Sequence, residues 1–174
     1  MGHPENIFLV GPMGVGKSTI GKQVAAKLGL RFKDSDWEIQ QRTGVDIPTI
    51  FEFEGESGFR KREKAILDEL TRQKGLVLAT GGGVVLDPQN RRHLAARGLV
   101  VYLHCSPRQQ YARTQKDRNR PLLQTEDPLA KLQELMAQRD PLYRQIADYV
   151  ISTEKRNAAA VTREIVKLFS SEEA

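Results

Sequence analysis

Residues Asn6-Ile7-Phe8-Leu9-Val10-Gly11-Pro12-Met13-Gly14-Val15-Gly16-Lys17-Ser18 decide the fold. Asn6 to Val10 is a short, mostly apolar run that stops at a glycine, the pattern of a buried strand. From Lys17 to Leu28, the residues Ile20, Val24 and Leu28 recur at i, i+4 and i+8, which predicts a helix. Between the two, Gly11 to Ser18 fits G-x-x-x-x-G-K-[ST] in full. Its glycines let successive N–H groups turn toward a polyphosphate, and the following helix adds the positive end of its dipole. In such a loop Lys17 reaches the β- and γ-phosphates and the Ser18 hydroxyl ligates Mg2+.

The same alternation continues along the chain. Arg31 to Asp34 reads as a second strand, and Glu56 to Arg72 as a helix with Phe59, Ile66, Leu67 and Leu70 on one stripe. Leu76 to Ala79 reads as a strand running into Thr80-Gly81-Gly82-Gly83. A helix from Pro88 to Arg97 stops at Gly98, a residue suited to the position just past a helix end. Leu99 to Leu103 is a further strand. Ser106-Pro107 and Asp127-Pro128 each carry N-cap and first-turn chemistry, the second opening a helix from Leu129 to Arg139. Tyr149 to Ile151 is a last strand, and Ala158, Val161, Ile165 and Phe169 mark a closing helix. Strands alternating with helices predict an α/β fold, a parallel sheet with helices on both faces.

The chain has 174 residues, 39% of them hydrophobic and 28% charged, with a formal net charge of +5. That length suits one domain spanning residues 1–174, and the composition excludes collagen-like and low-complexity classes. A lone cysteine, Cys105, rules out an internal disulfide and a cysteine zinc cluster. The start of the chain lacks a basic stretch leading into a long apolar one, and the longest uncharged run, Gly75 to Leu86, is too short to span a bilayer. A cytoplasmic protein with no membrane partner is expected. The positive charge suits anionic substrates, although nucleic acid would be served equally.

Candidate acceptor-binding groups follow the phosphate loop. Asp34 and Asp36 stand at the end of the second strand, at the carboxyl edge where open α/β sheets bind ligands. With extended backbone there, i and i+2 point the same way: one carboxylate can hold Mg2+ through water and the other orient a hydroxyl. An Asp-Ser-Asp helix cap is the plain alternative. Arg60 lies in the run Arg60-Lys61-Arg62-Glu63-Lys64, which could equally be a solvated basic face. Gly81-Gly82-Gly83 offers unobstructed N–H groups to an anion, or simply turns the chain. Arg113, Lys116, Arg118 and Arg120 surround Asp117, and the segment from about 114 to 127 reads as a lid that closes an arginine over transferring phosphate. His93, His104 and Cys105 form no ligand pattern, and Met136 and Tyr143 read as packing. Another small-molecule kinase of this loop class, acting on gluconate or a nucleoside monophosphate, and a nucleotide-sensing or RNA-binding module remain the competing readings.

Taken together the motifs resemble the shikimate kinase family, within the nucleoside monophosphate kinase-like P-loop proteins. The resemblance runs through Gly11 to Thr19, Asp34-Ser35-Asp36, Gly55 to Arg60, Thr80 to Gly83, Arg120 to Leu123 and Arg139 to Tyr143. It implies a three-layer fold on a five-stranded sheet of order 2-3-1-4-5, with a substrate-binding region at about 35–62. It implies transfer of phosphate from Mg-ATP to shikimate, giving ADP and 3-phosphoshikimate on the way to chorismate and the aromatic amino acids. Carried onto this sequence, Gly14, Val15, Gly16, Lys17, Ser18 and Thr19 would bind ATP, with Arg120 on the phosphates and Arg113 on the adenine face. Asp36, Arg60, Gly81, Gly82 and Arg139 would bind shikimate. Lys17, Asp36 and Arg120 would be catalytic, with Ser18 directly on Mg2+ and Asp34 in its water shell. The loop Thr153 to Asn157 lacks the proline that family members often place near adenine, leaving Arg156 as the contact expected there. A monomer is expected.

Overall fold

A computed structural model describes residues 4–115 and 120–172. Five parallel strands form one sheet: β1 (Ile7–Val10), β2 (Arg31–Asp34), β3 (Leu76–Ala79), β4 (Leu99–His104) and β5 (Tyr149–Ser152), in the order β2-β3-β1-β4-β5. At the centre, Phe8 pairs with Leu78 on one side and Val100 on the other. All four residues of β1 and of β3 are buried, as continuous apolar strands are when both faces of a sheet are covered. Side chains alternate between the two layers. Ile7 and Leu9 pack toward α1 (Lys17–Leu28) and α7 (Ala158–Ser171), with Val24, Ile165 and Phe169. Phe8 and Val10 face α2 (Ser35–Thr43), α3 (Ile47–Arg72), α4 (Pro88–Arg97) and α6 (Pro128–Ile146), with Leu67, Leu94 and Tyr143. A short α5 (Pro107–Thr114) follows β4.

Beyond one-residue differences at the ends of β1, β4 and β5, three boundaries differ from the sequence reading. The backbone does not stay extended after Asp34: α2 begins at Ser35, and the Asp34 carboxylate caps it by accepting from the Trp37 N–H at 3.1 Å. The helix expected from Glu56 begins at Ile47, where Asp46 caps the Thr49 N–H, and it bends at Gly55 (φ 72°, ψ 178°). The bend breaks the apolar period, which hid the first half. The helix expected to end at Arg139 runs through Pro141 to Ile146. One backbone bond is lost at Pro141, but buried Tyr143 and Ile146 hold the last turn against the sheet. Gly98 does end α4, with extended rather than left-handed backbone, because a side chain there would strike the Phe8 ring at 2.7 Å. Among the described residues no helix is long and apolar enough to cross a membrane.

Candidate active site

The carboxyl ends of β1, β2 and β3 open into a cavity of about 410 Å³. Gly11 has φ 143°, and a side chain on it would run into the Leu103 carbonyl, so only glycine lets the chain turn there. Gly14, at φ 84°, packs against Gln110 and Thr114 of α5. Lys17 folds back across this loop and donates to the carbonyls of Gly11 at 2.5 Å and Pro12 at 2.8 Å. Burial, reinforced by the Arg120 charge, brings its ammonium down to about 7, against the pull of Asp36 and Asp34. The Ser18 hydroxyl donates to the Asp34 carboxylate. Thus Asp34 is both the helix cap and the partner of the loop serine. Thr19, Thr80, Trp37, Gln40 and Arg113 complete the walls, and Arg113 donates to the Gly14 carbonyl at 3.0 Å.

A smaller recess of about 60 Å³ opens off this cavity, and Met13, Asp36, Gly81, Gly82 and Arg120 line both. One wall is apolar, made by Ile47, Phe51, Phe59 and Leu122. The other is charged. Arg60 sits one helix position after buried Phe59 and reaches Glu63 at 2.9 Å and Glu56 at 3.3 Å. Arg139, only 3% exposed, enters from α6, and Gly81 to Gly83 form the floor. The Gly81 N–H donates to the Ser35 hydroxyl at 3.0 Å, so the start of α2 anchors that floor. Arg120 stands 3.8 Å from the Asp36 carboxylate.

Three buried polar atoms facing this recess lack a hydrogen-bond partner among the described residues: Asp36 Oδ1, Glu63 Oε2 and Arg139 Nε. Burial raises the Asp36 pKa, as does Asp34, while Arg120 and Lys17 oppose. Burial also pushes Glu63 up to about 7, with Arg60 opposing and Asp36 adding to the rise. Unsatisfied buried groups are costly, and several at one cavity mark a place where a ligand completes the bonding.

The fold therefore brings together Gly14, Gly16, Lys17, Ser18, Thr19, Asp34, Asp36, Arg113 and Arg120 in the larger cavity, and Arg60, Gly81, Gly82 and Arg139 at the recess. Val15 turns its side chain into the core, leaving only its backbone to the loop. Arg156 is not brought in: it donates to the Ser152 carbonyl at 3.1 Å, pairs with Glu164 at 2.9 Å, and lines neither cavity. Lys116, Asp117 and Arg118 of the expected lid lie outside the described residues. Glu63 is the site residue that the sequence reading passed over. The signal was there, since i and i+3 on a helix share a face and Arg60 follows core-facing Phe59. Among the described residues no group of three or more His, Cys, Asp or Glu could hold a metal.

The comparisons with known proteins agree with this geometry. A family model described as shikimate kinase matches residues 13–170. A shikimate kinase of Thioalkalivibrio sulfidiphilus is 60% identical over 97% of this chain and 89% of its own length. One of Methylococcus capsulatus is 54% identical over 97% and 94%. A solved structure of the Acinetobacter baumannii shikimate kinase in complex with shikimate superposes with a TM-score of 0.95 at 51% identity, covering 98% of this chain and 95% of that one. A gluconokinase from Sinorhizobium meliloti, at 18% identity and a TM-score of 0.63, shares the fold alone. With its phosphate loop opening onto a recess lined by three arginines and two acids, the chain belongs to the shikimate kinase family of ATP-dependent phosphotransferases.

Proposed function

We propose that the chain is a cytoplasmic, monomeric enzyme that transfers the γ-phosphoryl group of ATP to the 3-hydroxyl of shikimate. The products are ADP and 3-phosphoshikimate, in the route to chorismate and the aromatic amino acids, with neither nucleic acid nor membrane as partner. The observation that carries this reading is the set of unsatisfied buried atoms around the recess. Shikimate has one carboxylate and three hydroxyls. Arg60 and Arg139 offer planar forks that grip a carboxylate by parallel hydrogen bonds, and the backbone at Gly82 supplies a further donor. Asp36, with a buried oxygen lacking a partner, accepts from a ring hydroxyl and, with its raised pKa, is suited to take the proton of the attacking one. The apolar wall of Ile47, Phe51, Phe59 and Leu122 excludes water from the ring.

At the other end Lys17 and Arg120 balance the charge that spreads over the transferring phosphoryl oxygens, Gly14 to Thr19 hold the polyphosphate, and Arg113 lies against the adenine. The Ser18 hydroxyl and Asp34 carboxylate form an oxygen-only pair, which fits Mg2+, a hard cation that keeps most of its waters. Ser18 would hold it directly and Asp34 through water, and when bound it would neutralise phosphate charge. The test is ADP release by purified protein with Mg-ATP and shikimate, beside gluconate, AMP and no-acceptor controls. Release with shikimate alone is expected. Release with gluconate or AMP instead would overturn the acceptor assignment and leave the phosphate site standing.

A further inference from the structure

Behind the glycine floor of the recess stands Tyr143, fully buried and on the wall of neither ligand cavity. Its hydroxyl donates to the Gly82 carbonyl at 2.5 Å. The Arg139 guanidinium lies near the same oxygen. The two side chains meet there because Arg139 and Tyr143 are four residues apart on α6, one turn above the other on a single face. A side chain on Gly82 would lie 3.3 Å from Arg139 Nη1 and 3.6 Å from the Tyr143 oxygen, so all three groups converge on one point.

We infer that Tyr143 is a positioning residue for the acceptor carboxylate: its phenol oxygen, bonded to the Gly82 carbonyl and packed beside the Arg139 guanidinium, sets the direction of the Gly82–Gly83 peptide. The inference rests on the proposed shikimate site. In a planar trans peptide the C=O and the next N–H point opposite ways. With the Gly82 carbonyl held back toward Tyr143, the Gly83 N–H is turned the other way. The glycines allow many backbone directions, so this orientation needs an external tie. Packed against that oxygen, the Arg139 guanidinium likewise has fewer angles open to its donors. Both acts preorganise donors for an anion without touching it.

A neighbouring residue supplies the control. Tyr102 is also fully buried, stacks on Tyr143 with ring centroids 4.8 Å apart, and places its hydroxyl 2.6 Å from the Asp140 carboxylate instead of the glycine floor. Tyr102→Phe and Tyr143→Phe therefore remove the same atom from the same wall, and only the second frees Gly82 and Arg139.

The experiment is steady-state kinetics of wild type, Tyr143→Phe and Tyr102→Phe, with each substrate varied in turn, beside thermal unfolding of all three. Tyr143→Phe is expected to raise the KM for shikimate about five- to twentyfold, the scale of leaving a buried acceptor unsatisfied, with kcat and the KM for ATP within about twofold. Tyr102→Phe is expected to leave the shikimate KM unchanged. A shikimate KM within twofold of wild type in Tyr143→Phe would overturn the assignment. So would a matching rise in Tyr102→Phe, or a parallel rise for ATP, since each marks a general packing defect. Should Tyr143→Phe be unstable at the assay temperature, the same kinetics of all three proteins below its unfolding transition carry the same prediction. Wild type without turnover on shikimate would instead sink the proposed function, and this assignment with it.

Discussion

Around Lys17 the pocket is built on one loop, Met13 to Thr19, walled by the ends of β2, β3 and α5, whereas around Arg60 it is assembled from side chains of α2, α3 and α6 and the loop after β3. The phosphate end satisfies its polar groups within the protein: Lys17 is bonded to two carbonyls and Ser18 to Asp34. The acceptor end does not, leaving polar atoms of Asp36, Glu63 and Arg139 without partners. The difference is physical. A polyphosphate is bound by backbone N–H groups and a helix dipole, which a short loop can supply alone. A small hydroxy acid needs donors and acceptors at fixed separations in three dimensions, which only packed elements provide.

The sharpest test of that contrast is Lys17→Ala, expected to lower kcat by about 10² to 10³ while the shikimate KM moves less than about threefold. A loss confined to shikimate KM would mean that the two ends are not separate. Next in size is Arg60→Lys, expected to raise the shikimate KM by about tenfold to a hundredfold with kcat little changed, because an ammonium cannot reproduce the bidentate grip. An unchanged shikimate KM would remove Arg60 from the carboxylate site.

The two ends also titrate in opposite directions. Lys17 is brought from 10.5 to about 7, so between those values the folded chain binds fewer protons than the unfolded one, and this group makes stability rise with pH. Glu63 is raised from 4.5 to about 7, so over that window the folded chain binds more protons and stability falls as pH rises. Each slope is at most about 1.4 kcal/mol per pH unit. Urea unfolding across pH, wild type minus Lys17→Ala and wild type minus Glu63→Gln, should show the two opposite slopes. Flat difference curves would contradict both. The smallest contrast lies at the adenine end. Arg113→Ala is expected to raise the KM for ATP about three- to tenfold, whereas Arg156→Ala, already engaged by Ser152 and Glu164, should stay within about twofold. A reversal of that order would put Arg156 on the base.

Much of the fold was legible because its signals are local. Strand ends, Pro caps and the period of α1 and α4 depend on neighbours in sequence: both helices agree residue for residue with the structure, and β1, β4 and β5 agree to within one residue. The bend at Gly55 and the passage of α6 through Pro141 depend on what the helix packs against, and these went unread. In the basic run after Phe59, composition cannot separate Arg60 from its neighbours. The fold does so: Arg62 pairs with Glu54 at 2.7 Å and Lys64 with Asp87 at 3.1 Å on the surface, while Arg60 turns inward to Glu63.

By itself the sequence determined the phosphate loop, since eight consecutive residues carry both its backbone freedom and its charges. Its motifs, taken in order, also pointed to the family. Only the tertiary structure decided that Arg60 turns inward while its basic neighbours stay on the surface, and that Glu63 and Tyr143 stand beside the recess. Burial and orientation distinguish those residues from chemically identical ones, and both arise from contacts between elements far apart in the chain.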